Sequence, residues 1–338
     1  MIIRSEEQEM KIEELLQAKK NTYPEINNED GEYIVSIGDD GRIQVEVVNI
    51  KVIGQSSTGI TRPKIVLIND KRKGFMKDSS KHDDSDDLEI VTNYLGNMFG
   101  IPMAKESRVF DNNLKKKALL SISVTQEEGE RFTEIHDVMT SAVESVKKGI
   151  IPMQEWMKDW IKLNSQLAFP EVPESHEFYC ADEKDIDIAI QLPLYVLESC
   201  HPSEKHELEK FAKNYFSMLI FDIFIGQTDR NMTNYGLIYS DNTYSFAPLF
   251  DNSTLAKPYL PEKLYSLNKV LIDREELLAR LVSNYSTYVI DLIHTITNLY
   301  EENESKIFEM IDMWIDNHNK ELIKRNVVTA YELFKKYN

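Results

Sequence analysis

Between Leu208 and Ile225 apolar residues recur at helical spacing, and the run stops at Gly226. Its second half, Tyr215 to Ile225, is almost entirely apolar yet carries Asp222, and it is too short to cross a bilayer. It reads as a helix buried in a globular core. The polar stretch Gly226-Gln227-Thr228-Asp229-Arg230-Asn231-Met232-Thr233-Asn234 follows. Two short apolar runs, Tyr235 to Tyr239 and Tyr244 to Ala247, flank Ser240-Asp241-Asn242 and predict a hairpin. The hairpin returns the chain to Pro248-Leu249-Phe250-Asp251-Asn252. A buried helix can hold the first polar loop rigidly, and the hairpin can bring Asp251 back beside it.

These three side chains carry a recognisable chemistry. A hydroxyl that attacks the γ-phosphoryl group of ATP needs a carboxylate to orient it and take its proton, and Asp229 has that character. Asn234, five residues later, has the spacing at which an amide oxygen ligates magnesium in a kinase catalytic loop. Asp251, seventeen residues after Asn234, supplies a second carboxylate for the same ion. On its own, an Asp-x-x-x-x-Asn spacing is a polar turn; the returning strand gives it meaning. In protein kinases the corresponding acid opens an Asp-Phe-Gly triplet, whereas here the triplet is Asp251-Asn252-Ser253.

The rest of the chain divides by periodicity. Residues 1–32 predict a short amphipathic helical extension around Met10, Ile12, Leu15 and Leu16. Residues 33–125 read as strands at Tyr33-Ile34-Val35, Ile43 to Ile53, Ile65 to Ile68, Gly74-Phe75-Met76 and Ala118 to Val124. One helix interrupts them, with Leu88, Val91, Leu95, Met98 and Phe99 on its face and Gly100 at its end. The preceding Lys81 to Asp87 reads as a polar loop; it lacks the glycine and terminal glutamate of a calcium-binding loop. Residues 126–338 are mostly helical, around Val138 to Val146, Met153 to Leu167, Leu192 to Leu197, 273–300, 304–324 and 327–336. Strands first and helices later predict an α+β protein of two lobes with a cleft at their junction.

The run from Phe221 to Gly236, together with Ala247-Pro248-Leu249-Phe250-Asp251-Asn252-Ser253, resembles the catalytic segment of HipA-like serine/threonine kinases. The resemblance is strong over about 215–256 and looser over about 50–110. It implies a two-lobed, protein-kinase-like fold with a strand-rich N-lobe and a helical C-lobe. It also implies ATP and magnesium as cofactors, Asp229 as the catalytic base, and Asn234 and Asp251 as metal ligands. Asn231 departs from many relatives, which carry a histidine there.

In the first lobe, Gly54-Gln55-Ser56-Ser57-Thr58-Gly59 joins two strands, and its backbone amides could approach phosphates. It is not a Walker loop, and standing alone it reads as a plain hairpin loop. Lys77 closes a strand and Glu89 lies in the one helix of that lobe, the order of the lysine–glutamate pair that positions ATP. Lys64, after Arg62-Pro63, is the competing lysine. HipA-like kinases modify a serine in the corresponding loop, which makes Ser56, Ser57 and Thr58 candidate autophosphorylation sites.

Composition removes other classes. A formal net charge of −18, with only short basic clusters at Lys71-Arg72-Lys73 and Lys115-Lys116-Lys117, argues against direct nucleic-acid binding. Two cysteines, Cys180 and Cys200, and the absence of an apolar amino-terminal run predict a cytoplasmic protein without a membrane segment. Trp156, Trp160 and Trp314 fall at core spacing. The reading is therefore an autophosphorylating protein kinase acting on a protein substrate. The same groups serve a small-molecule acceptor such as an aminoglycoside or a lipid headgroup, and a nucleotide-binding interaction module is the non-enzyme alternative. The resemblance brings an antitoxin-like partner, although nothing in the chain reads as a helix-turn-helix.

Overall fold

The structure is a computed structural model. It describes residues 32–38, 43–56, 63–78, 85–111, 116–150, 152–153, 155, 158, 183–200, 205–240, 243–253, 255, 264–267, 270–315 and 317–338. These fall into two compact units. One comprises 32–98, 103–126 and 304–321, and the other comprises 99–102, 127–303 and 322–338.

The first unit is built on a seven-stranded antiparallel sheet: β1 (Glu32–Ile37), β2 (Ile43–Val48), β3 (Ile50–Gln55), β4 (Lys64–Ile68), β5 (Arg72–Asp78), β6 (Glu106–Asp111) and β7 (Lys116–Ile122). The strand order is β2-β1-β6-β7-β5-β4-β3. Its two edge strands are consecutive in the chain and separated only by Asn49, so the sheet curls on itself. Asn69 fixes this bend. Its side-chain oxygen accepts from the Asn49 N–H at 2.9 Å, and its own N–H donates to the Asn49 carbonyl at 2.8 Å. The expected strand from Ile43 to Ile53 is thus continuous in sequence but serves both ends of the sheet. Inside the curl, Ile34, Val48, Val66, Ile68, Val109 and Leu120 form the core, with Ile50, Met76, Ala118 and Ile122 packed against them.

Helix α1 (Ser85–Met98) packs on the other face of the sheet, and Asp86 to Gly96 are buried along its whole length. The expectation of a polar loop through Asp87 is corrected here. Ser85, Asp86 and Asp87 open the helix, where acidic side chains suit the positive end of its dipole. Asp87 is buried because Arg108 of β6 pairs with it. Lys81 to Asp84 lie outside the described residues.

The second unit contains a three-stranded antiparallel sheet and most of the helices. The sheet, ordered β10-β9-β8, has β8 (Arg131–Glu134), β9 (Gly236–Ser240) and β10 (Thr243–Phe246). The helices are α2 (Ile135–Lys147), α3 (Glu183–Cys200), α4 (Lys205–Ile225), α5 (Arg274–Trp314) and α6 (Asn317–Phe334), the last two extending into the first unit. A two-stranded ribbon, β11 (Leu264–Leu267) and β12 (Val270–Asp273), leads into α5. The expected helix from Met153 to Leu167, Trp156 and Trp160 within it, and Cys180 fall largely or wholly outside the described residues, while Trp314 is buried as its spacing predicts.

Helix α4 is the spine of this unit. From Phe211 to Ile225 its side chains are mostly buried, which makes it hydrophobic all round rather than amphipathic. Phe211, Tyr215, Tyr235 and Phe246 form one aromatic cluster around it, and Phe224 meets Phe99, Tyr300 and Phe334. Each such ring contributes about 1.5–3 kcal/mol by burial, so α4 is a rigid base for the loop at its end. Among the described residues no helix is long and apolar enough to cross a membrane.

Candidate active site

Helix α4 ends at Gly226, whose φ of +78° belongs to the left-handed region. The N–H groups of Gly226 and Gln227 both donate to the Asp222 carbonyl at 2.9 Å. A Cβ at Gly226 would lie 2.6 Å from the Asn326 side chain and 2.9 Å from Arg274 Nη1, so glycine is required on two counts.

Immediately beyond, Gln227 is fully buried and bonds in two directions. Its Oε1 accepts from the N–H groups of Thr228 at 3.0 Å and Asp229 at 3.4 Å. Its Nε2 donates to the Asp251 carbonyl at 2.9 Å. One amide therefore joins the loop of Asp229 to the strand end that carries Asp251.

Arg230 makes the same connection more strongly. Its guanidinium, fully buried, forms a two-pronged pair with Asp222: Nε to Oδ2 and Nη2 to Oδ1, both at 2.9 Å. Nη1 donates to the carbonyls of Asn234 at 2.9 Å and Phe250 at 3.1 Å, and Nη2 donates to Asn252 Oδ1 at 2.5 Å. Geometry of this kind offsets the cost of burying both charges. Asp222 also neutralises Arg230, so the guanidinium does not compensate Asp229 or Asp251.

Within this frame, the Asp229 carboxylate is half-buried and its Oδ1 accepts from Asn231 Nδ2 at 3.0 Å. Asn234 Nδ2 donates to the Asp229 carbonyl at 2.9 Å, which turns its Oδ1 away from that bond. Thr233 Oγ1 reaches this oxygen only at 3.4 Å. Asp251 is exposed and has φ +59°, a conformation that non-glycine residues rarely adopt. The β9–β10 hairpin delivers it, as the sequence predicts, and Leu249 N–H donates to the Pro102 carbonyl beside it.

An amide oxygen and a carboxylate oxygen are hard donors of the kind magnesium takes, alongside phosphate oxygens and water. Among the described residues no three carboxylate, imidazole or thiolate side chains gather into a metal centre. Asn234 and Asp251 each offer one such oxygen.

The sheet unit carries the other candidates. Cross-strand register aligns Lys77 with Leu119, Leu119 with Arg108, and Arg108 with Val35 in one row. Directly opposed residues share a face, and Arg108 pairs with Asp87 of α1, so Lys77 lies on the α1 face. Lys64 opposes Met76 and is on the core-side face at an exposed strand start. Glu89 is 2% exposed in α1, and Lys77 is half-buried. Ile65 and Phe75 oppose each other on the Lys77 face, and Phe75 remains 37% exposed.

Gly54 sits at the irregularity of β3, where the register shifts after Val52. Ser56 N–H donates to the Pro63 carbonyl at 2.9 Å and closes the neck of the loop. Ser57, Thr58 and Gly59 lie outside the described residues. Sequence reasoning missed Gln227, Arg230 and Asn252 as site residues. Their one signal was Asp222, an acid inside an apolar helix that requires a buried partner.

No protein-family model matches the sequence, and neither does any curated protein. Solved structures do match the fold. The proinflammatory kinase CtkA of Helicobacter pylori aligns over 86% of this chain and 96% of its own, with 14% identity and a TM-score of 0.55. HipA of Shewanella oneidensis, solved with HipB and operator DNA, aligns over 85% of this chain and 63% of its own, with 12% identity and a TM-score of 0.45. With its curled sheet first and its helical part after, the chain has a two-lobed, kinase-like α+β fold.

Proposed function

We propose that the chain is an ATP- and magnesium-dependent serine/threonine protein kinase of the HipA-like kind. The observation that carries this reading is the buried clamp of Arg230, Asp222, Asn252 and Gln227. It holds the segments of Asp229, Asn234 and Asp251 together. Such a clamp fixes the backbone geometry that a preorganised catalytic site requires. The fold shared with CtkA supports the reading.

In the reaction, Asp229 orients the acceptor hydroxyl and takes its proton as the oxygen bonds to the γ-phosphorus. Asn231 holds that carboxylate in place. Asn234 and Asp251 hold magnesium through oxygen, and Lys77, steadied by Glu89, serves the α- and β-phosphates. The Ile65 and Phe75 side chains offer apolar surface to the base, and backbone amides near Gly54 and Ser56 serve the phosphates. Magnesium-bound ATP supplies the phosphoryl group, and the bond to its bridging oxygen breaks to leave ADP.

Incubation of purified protein with radiolabelled ATP, magnesium and a panel of protein and small-molecule acceptors tests the proposal. Label on protein serine or threonine is the expected result. Label confined to a small molecule would move the assignment to a small-molecule phosphotransferase, and the absence of any transfer would overturn it.

A further inference from the structure

A cavity of about 540 Å³ lies among α3, α4 and α5, lined by the side chains of Gln191, Tyr195, Glu198, Glu209, Tyr285 and Tyr288, among others. On α3, Gln191, Tyr195 and Glu198 follow one another at helical spacing and share a face. The rings of Tyr285 and Tyr288 lie against Phe216, with centroids 4.5 and 5.1 Å away, which fixes both. The side chain of Gln191 accepts the Tyr195 hydroxyl through Oε1 and also bonds Tyr285. Tyr285 marks a break in α5, with φ −135° and ψ 31°.

The electrostatics of this cavity select the sign of a ligand. Glu198 and Glu209 are exposed and have no ion-pair partner among the described residues. Among the described lining residues Lys205 is the only cation, which leaves these residues a net charge of −1 that one monovalent cation neutralises. Burial, ahead of the nearby acidic groups, raises the Tyr195 hydroxyl, and burial pushes that of Tyr285 up to about 12. The rings stay neutral and offer π faces to a cation. The chain as a whole, at −18, favours basic partners.

We propose that this cavity docks an arginine side chain of the polypeptide substrate, its guanidinium stacked on tyrosine and paired with Glu198 and Glu209. Arginine fits better than lysine because a planar guanidinium can stack and bond a carboxylate through two N–H groups at once. The ligand must belong to a polypeptide. Ala212, the described lining residue of α4 nearest the loop, precedes Asp222 by ten helical residues; this is about 15 Å at the helical rise, beyond the reach of one side chain. A small molecule held here cannot present a hydroxyl to Asp229. An extended chain can do so if the arginine lies about five or more residues from the acceptor. The substrate assignment rests on the protein-kinase reading; the cation site does not.

Saturation-transfer NMR on the full chain tests the site with N-acetyl-arginine amide as probe and N-acetyl-citrulline amide as its uncharged isostere. The expected result is transfer to the arginine side chain, with citrulline about tenfold weaker. The Glu198→Gln/Glu209→Gln variant, altered only at exposed positions, should bind arginine about tenfold more weakly. Equal binding of citrulline, or an unchanged double variant, overturns the site. A second arm compares glycine–alanine peptides with one serine about eight residues from either arginine or citrulline, both given radiolabelled ATP. Docking predicts a higher KM for the citrulline peptide at similar kcat, and equal KM values overturn the docking role. If no acceptor of any kind is labelled, the kinase reading fails, and the NMR arm by itself upholds or overturns the cation site.

Discussion

Asn231 holds the Asp229 carboxylate from two residues away. Its Nδ2 donates to Oδ1 at 3.0 Å, while its own oxygen accepts from the Thr233 N–H at 2.9 Å. The side chain is thus pinned at its oxygen and used at its nitrogen. Asn231→Ala removes a hydrogen bond to a charged group, a loss of about 1.5–3 kcal/mol, and should lower kcat roughly 10- to 100-fold with the KM for ATP little changed. Asn231→His keeps a donor and should recover part of the rate. An unchanged kcat in Asn231→Ala would show that Asp229 is positioned by other groups.

Removing Arg230 breaks a buried ion pair. Arg230→Met takes from Asp222, in the core of α4, both of its bonds to the guanidinium and should destabilise the protein by about 3–5 kcal/mol in denaturant unfolding. Replacing both, as Arg230→Met/Asp222→Leu, should restore part of that stability without restoring phosphotransfer. A single variant within about 1 kcal/mol of the natural chain would contradict the clamp.

Gly226 and Gly100 separate backbone strain from steric conflict. Both have positive φ, +78° and +73°, but a Cβ meets the Asn326 side chain at 2.6 Å only at Gly226, and nothing within 4 Å at Gly100. Gly100→Ala should therefore destabilise by about 1 kcal/mol, and Gly226→Ala by about 2 kcal/mol or more because side chains must also move. Equal unfolding midpoints for the two variants would remove the steric argument.

The two candidate lysines lie on opposite faces of the sheet. Lys77 lies on the face that α1 covers, and Lys64 does not. Lys77→Met should weaken magnesium-ATP binding about tenfold or more, and Lys64→Met should change it little. The reverse order in a nucleotide titration would assign the phosphates to Lys64 and leave Glu89 without its role.

The course of the loop was legible because it is local. Asp229, Asn234 and Asp251 lie within one helix-loop-hairpin unit, where spacing and turn residues suffice to place them. The clamp beneath them was not legible, because its bonds depend on burial that spacing does not encode. Strand β6 is hidden from the sequence pattern for a related reason. Glu106, Ser107 and Arg108 are polar residues buried in a sheet, so the alternation that reveals a half-buried strand is absent. The start of α1 reads as a loop in the sequence because Asp86 and Asp87 look like solvent-facing residues until Arg108 is brought to Asp87 from β6.

The most direct test separates the two acids. Magnesium-ATP affinity by calorimetry and phosphotransfer by radiolabel should be measured for the natural chain, Asp229→Asn and Asp251→Ala. Asp229→Asn should lose roughly 10²- to 10⁴-fold in rate while nucleotide affinity is retained. Asp251→Ala should lose both transfer and magnesium-dependent affinity. Full phosphotransfer by Asp229→Asn, or unchanged affinity and turnover in Asp251→Ala, would contradict the assignment of base and metal ligand on which the proposed kinase activity stands.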